Sequence, residues 1–142
     1  MAVQSTIDKK EMQKLIKKLN EFPEVIQKRI TDGSLRAAAK VVKNAAVTYA
    51  PLDTGRLRDS IKVKKKTKRE MRKDGDDPET ETAFYVGIDT DICWYANIVE
   101  FGSIKMSADP FMVPAFENSG MEALDAMKKY FKQRVEKEAE KM

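Results

Sequence analysis

APLDTGRL, residues 50–57, is the stretch on which the reading of this chain turns. Its centre, Asp53-Thr54-Gly55, is the triplet that aspartic proteases carry at their catalytic carboxylate. That chemistry needs two carboxylates close enough to share a proton. The sequence holds one copy of the triplet, and Arg56 and Arg58 beside it favour permanent ionisation of a neighbouring carboxylate. A long helical pattern precedes it where a protease has a buried strand, and no glycine-rich flap follows. The triplet is better read as a turn. Pro51 ends a helix, Asp53 closes an Asx-type turn, and Gly55 supplies a backbone angle that other residues resist. The turn launches a strand, so helix lies on one side of it and sheet on the other.

On the helical side, Met12, Leu15, Ile16 and Leu19 recur at helical spacing and predict a helix over 8–20, with Thr6 or Asp8 as its cap. Phe22-Pro23 ends it, because the residue before proline avoids the α region, and Pro23 suits the first turn of the next helix. That second helix is long. Its stripe runs through Val25, Ile26, Ile30, Ala37, Ala38, Val41, Val42, Ala45, Ala46 and Tyr49. Asp32-Gly33-Ser34 interrupts the stripe and predicts a kink or near-break, since an interior glycine costs about 1 kcal/mol.

Beyond Gly55 the period changes to two. Leu57, Ile61 and Val63 alternate with polar residues, as do Phe84, Val86 and Ile88, which predicts two half-buried strands. Between them, KREMRKDGDDPETE predicts a long, solvated, mobile hairpin tip over about 68–82. WYANIVEFGS predicts a short helix ended by Gly102. From about Pro114 to Lys141, Phe116, Leu124, Met127, Phe131 and Val135 predict a long amphipathic helix. The expected fold is α+β: long N-terminal helices and a long C-terminal helix packed around a small antiparallel sheet with a long charged hairpin. With 142 residues and no domain-splitting linker, a single domain over 1–142 is expected.

Composition narrows the function. The chain has no histidine, which removes serine and cysteine nucleophile systems that depend on it and the commonest zinc ligand. Neither a GxxxxGK[ST] loop nor a GxGxxG turn occurs. No cofactor or metal is implied. The one cysteine, Cys93, sits beside Trp94 in an apolar context and is expected to be a buried structural thiol. No apolar run is long enough to cross a membrane, and MAVQSTIDKK lacks a signal peptide's apolar core, so residence in the cytoplasm is expected. Charges nearly cancel, at 27 basic against 23 acidic residues. They are uneven locally: Lys62, Lys64, Lys65, Lys66, Lys68 and Arg69 crowd the first arm of the hairpin, and aspartates and glutamates follow in 74–81. The arms attract each other in the plain reading. In the sharper one the basic arm faces DNA phosphates or an acidic protein. No aromatics are interleaved, so base stacking is not expected.

Three blocks then stand in order: Ala50-Pro51-Leu52-Asp53-Thr54-Gly55-Arg56-Leu57-Arg58-Asp59-Ser60-Ile61; Tyr95-Ala96-Asn97-Ile98-Val99-Glu100-Phe101-Gly102-Ser103; and Pro110-Phe111-Met112-Val113-Pro114-Ala115-Phe116. Together they resemble the tailed-bacteriophage morphogenesis family of small head–tail joining proteins, also called neck, minor tail-component or tail-completion proteins. The resemblance covers roughly residues 6–141. It departs from the family's pattern at Asp109, where an arginine is often found, and in the long hairpin tip. It implies a non-enzymatic protein of the virion neck, assembled in the host bacterial cytoplasm. Such a protein forms a sixfold or twelvefold homo-oligomeric ring that joins the head connector to the tail, or terminates the tail on its own side. Its partners are the connector and tail proteins of the same phage. A sequence-nonspecific DNA-binding protein is the competing class. Within the resemblance, Asp53, Thr54 and Gly55 form the rigid turn, and Arg56 and Arg58 are expected to pair with Glu100. Phe111 and Pro114 anchor the last helix. Leu57, Ser60, Tyr95, Phe101, Gly102 and Pro110 complete the motif set, and the basic arm tolerates passing DNA.

Overall fold

The computed structural model describes residues 9–51, 55–78 and 81–141. Helices α1 (Lys9–Asn20) and α2 (Glu24–Tyr49) lead into a one-turn helix α3 (Arg56–Asp59) and strand β1 (Ile61–Lys65). Helix α4 (Lys68–Lys73), strand β2 (Phe84–Ile88), helix α5 (Ala96–Phe101) and helix α6 (Met112–Glu140) complete the order. The architecture is α+β, as the two sequence periods predict.

The two long helices run antiparallel. Tyr49 at the end of α2 accepts a hydrogen bond from Asn118 near the start of α6, and Ile30 near the start of α2 shares a core with Val135 near the end of α6. Small residues let the backbones close on each other: Ser34, Ala46, Ala115, Ser119 and Ala123 are all buried. Two of these are serines, and each donates its hydroxyl to the carbonyl four residues back, Ile30 and Ala115, so neither leaves an unmet polar group in the interface.

The expected break at 32–34 does not occur; α2 is continuous. Gly33 is there for space. A Cβ at this position would lie 2.3 Å from the Tyr130 hydroxyl, so the missing side chain is a notch for Tyr130 of α6. The helix accepts the cost of a glycine because the helix packed on it needs the gap.

Hydrophobic burial gathers at both ends of the helix pair. At one end Leu15, Phe22, Ile30 and Val135 lock α1 onto α2 and α6. At the other, Leu57, Ile61, Cys93, Val99 and Phe111 pack on Ala46, Ala50 and Ala115. Cys93 is fully buried, as expected.

The sheet is a two-stranded antiparallel ribbon in which Ile61 faces Ile88, Val63 faces Val86 and Lys65 faces Phe84. Its ladder continues outward through Asp89 N–H to the Ser60 carbonyl at 2.7 Å and Lys66 N–H to the Ala83 carbonyl at 2.9 Å. Leu57 is not part of the strand as the alternation suggested. It lies in α3, fully buried, and Ser60 ends that turn by donating its hydroxyl to the Leu57 carbonyl at 2.6 Å. The hairpin tip is not an open loop either. Thr67 caps α4 by accepting from Glu70 N–H, and Met71 is buried beneath it.

Candidate assembly surface

The third motif block starts a helix with a cap taken from the second. Helix α6 begins at Met112 with Phe111 as its N-cap residue, and no side chain of that residue can close the turn. Four N–H groups at a helix start lack intrahelical partners. Here Glu100 of α5 takes them. Its Oε2 accepts from Phe111 N–H at 2.7 Å and Met112 N–H at 3.0 Å, and its Oε1 accepts from Val113 N–H at 3.1 Å. The next residue is Pro114, which has no N–H to satisfy. Every first-turn donor is thereby accounted for, and the carboxylate sits at the positive end of the α6 dipole. Glu100 is 5% exposed, so its charge is held by these contacts rather than by water.

The expected pairing of Glu100 with Arg56 and Arg58 is therefore corrected. Among the described residues no ion pair joins them. Arg56 is exposed, and Arg58 is half-buried with its Nε lacking a hydrogen-bond partner. Three backbone donors won because they converge on one point, whereas an arginine there would have had to be desolvated.

The loop from α5 to α6 is held short by glycine. Gly102 has φ +78°, and its N–H donates to the Ile98 carbonyl at 2.7 Å. A Cβ there would lie 2.8 Å from the Ala108 backbone nitrogen. Asp109 N–H then donates to the Val99 carbonyl at 2.8 Å, which brings Pro110 and Phe111 back over α5. Phe111 is fully buried, while Pro114 is half-buried. Gly55, with φ +87°, opens α3 with the left-handed angle the turn reading required. Asp53 and Thr54 lie outside the described residues.

What this frame presents to solvent is apolar. Phe101 is 76% exposed, Trp94 72% and Phe116 68%, and Ile104, Met106, Val113, Met121 and Leu124 are exposed as well. Trp94 stands edge-on to Tyr95, which precedes α5. Of the apolar face predicted for α6, Phe131 and Val135 pack in the core, but Phe116 and Leu124 are exposed. In the first half of the helix a stripe of small residues, Ala115, Ser119 and Ala123, is the one buried. The outward stripe, Val113, Phe116, Met121 and Leu124, covers about three turns. Scattered apolar side chains are ordinary, but eight large exposed ones between residues 94 and 124 make this segment the candidate interaction surface. The segment of chain that carries them is acidic: Lys105 is the only basic residue between Asp74 and Met127.

Basic residues lie elsewhere. In the hairpin, Lys66 reaches Asp74 at 2.6 Å and Lys65 reaches Asp32 of α2 at 2.6 Å. The hydrogen bond to Asp74 holds the Lys66 ammonium above its ordinary pKa, with the charges of Asp74, Asp76 and Glu70 adding to it. These exposed pairs steady the hairpin only slightly. Lys64, Lys68 and Arg69 are exposed, and Lys62 is half-buried against α2. Reading cations by their density along the chain missed Arg29, Arg36, Lys40 and Lys43 of α2, whose signal is helical spacing.

Among the described residues no group of acidic or cysteine side chains is placed to hold a metal, and no helix is long and apolar enough to cross a membrane. The buried carboxylate is thus engaged in closing a helix of its own fold. The family model described as "Bacteriophage HK97-gp10, putative tail-component" matches residues 13–102, and the chain belongs to this family of phage tail components. Comparison with curated proteins and with solved structures found no match.

Proposed function

We propose that this tail component is a non-enzymatic head–tail joining protein, a ring-forming subunit of the virion neck between the head connector and the tail. The observation that carries the reading is the exposed apolar surface formed by Trp94, Phe101, Ile104 and the outward stripe of α6. A lone subunit gains nothing by holding these side chains in water, and burying each against a partner stabilises the assembly by about 1.5–3 kcal/mol. A ring subunit needs two different faces that meet in turn. The Glu100 cap and the Gly102 loop give this one a rigid backbone, so the face is formed before docking. Gly55 with α3 sets the angle between α2 and the sheet, and the basic arm of the hairpin meets a partner or passing DNA.

A tail-side version, in which the same ring terminates the tail tube, draws support from the family's description as a tail component. An assembly rescue separates the two. Heads and tails from a phage lacking this protein are mixed with the purified chain and infectious particles are counted. Preincubation with heads alone, then removal of excess, should restore infectivity if the protein completes the head side. Restoration only after preincubation with tails supports the terminator. No restoration with folded protein overturns the joining role.

A further inference from the structure

Arg29, Arg36, Lys40 and Lys43 leave α2 within about 60° of one another at about 100° per residue, so they form one row. The helix rises about 21 Å from the first to the last. Strand β1 lies alongside, and a trough lined by Arg36, Lys40, Lys43, Lys62 and Phe84 runs between them. Towards Arg29 it continues into a hollow at the Gly33–Tyr130 notch. The Arg36 guanidinium sits 5.5 Å from the centroid of the Phe84 ring, which fixes its position. The carboxylate at the hollow, Asp32, holds Lys65 through Oδ2 at 2.6 Å, while its Oδ1 is buried without a hydrogen-bond partner. Among the described residues no ion pair engages Arg29, Arg36, Lys40, Lys43 or Lys62.

A rigid row of uncompensated cations repels itself and raises the local concentration of anions. Two polyanions compete for it, an acidic protein and a nucleic acid. Protein interfaces need an apolar centre. Among the described residues, eight of the eleven large exposed apolar side chains lie between Trp94 and Leu124; Val25 and Tyr49 of α2 stand at its two ends, outside the trough's lining, and Phe84 is already covered by Arg36. A phosphate backbone needs no such centre. It is met by Lys and Arg as point charges and forks, and a straight row about 21 Å long matches a regular line of charge.

We propose that the α2–β1 trough is a binding surface for the phosphate backbone of double-stranded DNA. Resting on the joining role, the inference makes this trough, rather than the hairpin tip, the face turned towards the passing genome.

The test is fluorescence anisotropy of a labelled random-sequence duplex with the purified full chain across a salt series. Arg29→Ser, Lys40→Ser and Lys43→Ser together should reduce the slope of log affinity against log salt by about 2 to 3, since each phosphate contact contributes about 0.9. Affinity at low salt should fall at least about tenfold. Lys14→Ser, Lys17→Ser and Lys18→Ser on the exposed face of α1 remove the same charge and should cost less than half as much. Lys40→Ser alone, should the triple variant fold poorly, should lower the slope by about 0.9. Equal losses in the two triples would show net charge alone at work and overturn the proposal. So would absence of duplex binding by the unmutated chain, or binding of polyglutamate as tight as of the duplex. Because anisotropy reads the isolated chain, its failure leaves the joining role standing. Failed rescue with intact, trough-dependent DNA binding would in turn sink only the joining role.

Discussion

Glu100 accepts the Phe111 backbone N–H at 2.7 Å from eleven residues earlier in the chain, and so ties α5 to the start of α6. The same carboxylate takes the next two N–H groups. Glu100→Ala strands three donors in a poorly hydrated place and should cost about 3 kcal/mol. Glu100→Gln keeps one acceptor oxygen but turns an NH₂ towards a donor, so roughly half that loss is expected. Urea unfolding of both variants checks this. Equal stability of Glu100→Ala and the unmutated chain would remove the cap from the account.

Gly55 and Gly102 both hold left-handed backbone angles, but their surroundings differ. Nothing lies within 4 Å of a Cβ placed on Gly55, whereas one on Gly102 would press on the Ala108 backbone nitrogen at 2.8 Å. Gly55→Ala should therefore cost only the conformational term, about 1–2 kcal/mol, and Gly55→Val more, because a β-branched residue resists a positive φ. Gly102→Ala should cost at least about 1 kcal/mol beyond Gly55→Ala, since backbone cannot move aside as a side chain does. Thermal melts rank the three. A Gly55→Val protein that melts like the unmutated chain would refute the turn's role.

These contrasts show what was legible in the sequence. The period-two alternation placed β2, and Gly102 placed the end of α5, because both signals are local. The stripe through Phe116, Leu124, Met127, Phe131 and Val135 was read correctly as helical; Phe131 and Val135 do join the core, but Phe116 and Leu124 are exposed. In the first half of α6 close approach to α2 favours burial of the small residues Ala115, Ser119 and Ala123. Met71 was hidden in a run of charges. The partner of Glu100 could not be read from spacing, since it lies across a loop. A usable signal did exist: α6 starts with no Ser, Thr, Asp or Asn at its N-cap, and such a start needs an acceptor from elsewhere.

Gly33 offers a cleaner case of tertiary packing overriding propensity. Alone, Gly33→Ala should destabilise by about 1 kcal/mol or more, because the new methyl meets the Tyr130 ring before helix propensity can help. In a Tyr130→Ala background the same change should stabilise by about 1 kcal/mol, the ordinary gain of alanine over glycine in a helix. A double-mutant cycle by urea denaturation reads the sign reversal. Additive effects would mean that the notch does not explain the glycine.

Phe101 and Phe116 separate assembly from stability. Both are mostly exposed, so Phe101→Ser and Phe116→Ser should each change folding stability by no more than about 0.5 kcal/mol. Phe111 lies between them in sequence and is fully buried, so Phe111→Ala should cost about 3–5 kcal/mol. If the apolar surface docks on a partner, the two exposed variants melt normally yet give few infectious particles in the rescue assay, because the lost burial is lost only in the complex. Phe111→Ala fails by a different route, through an unfolded subunit. Normal rescue by the Phe101→Ser, Phe116→Ser double variant would show that the surface does not join anything and would remove the main support for a ring built through it.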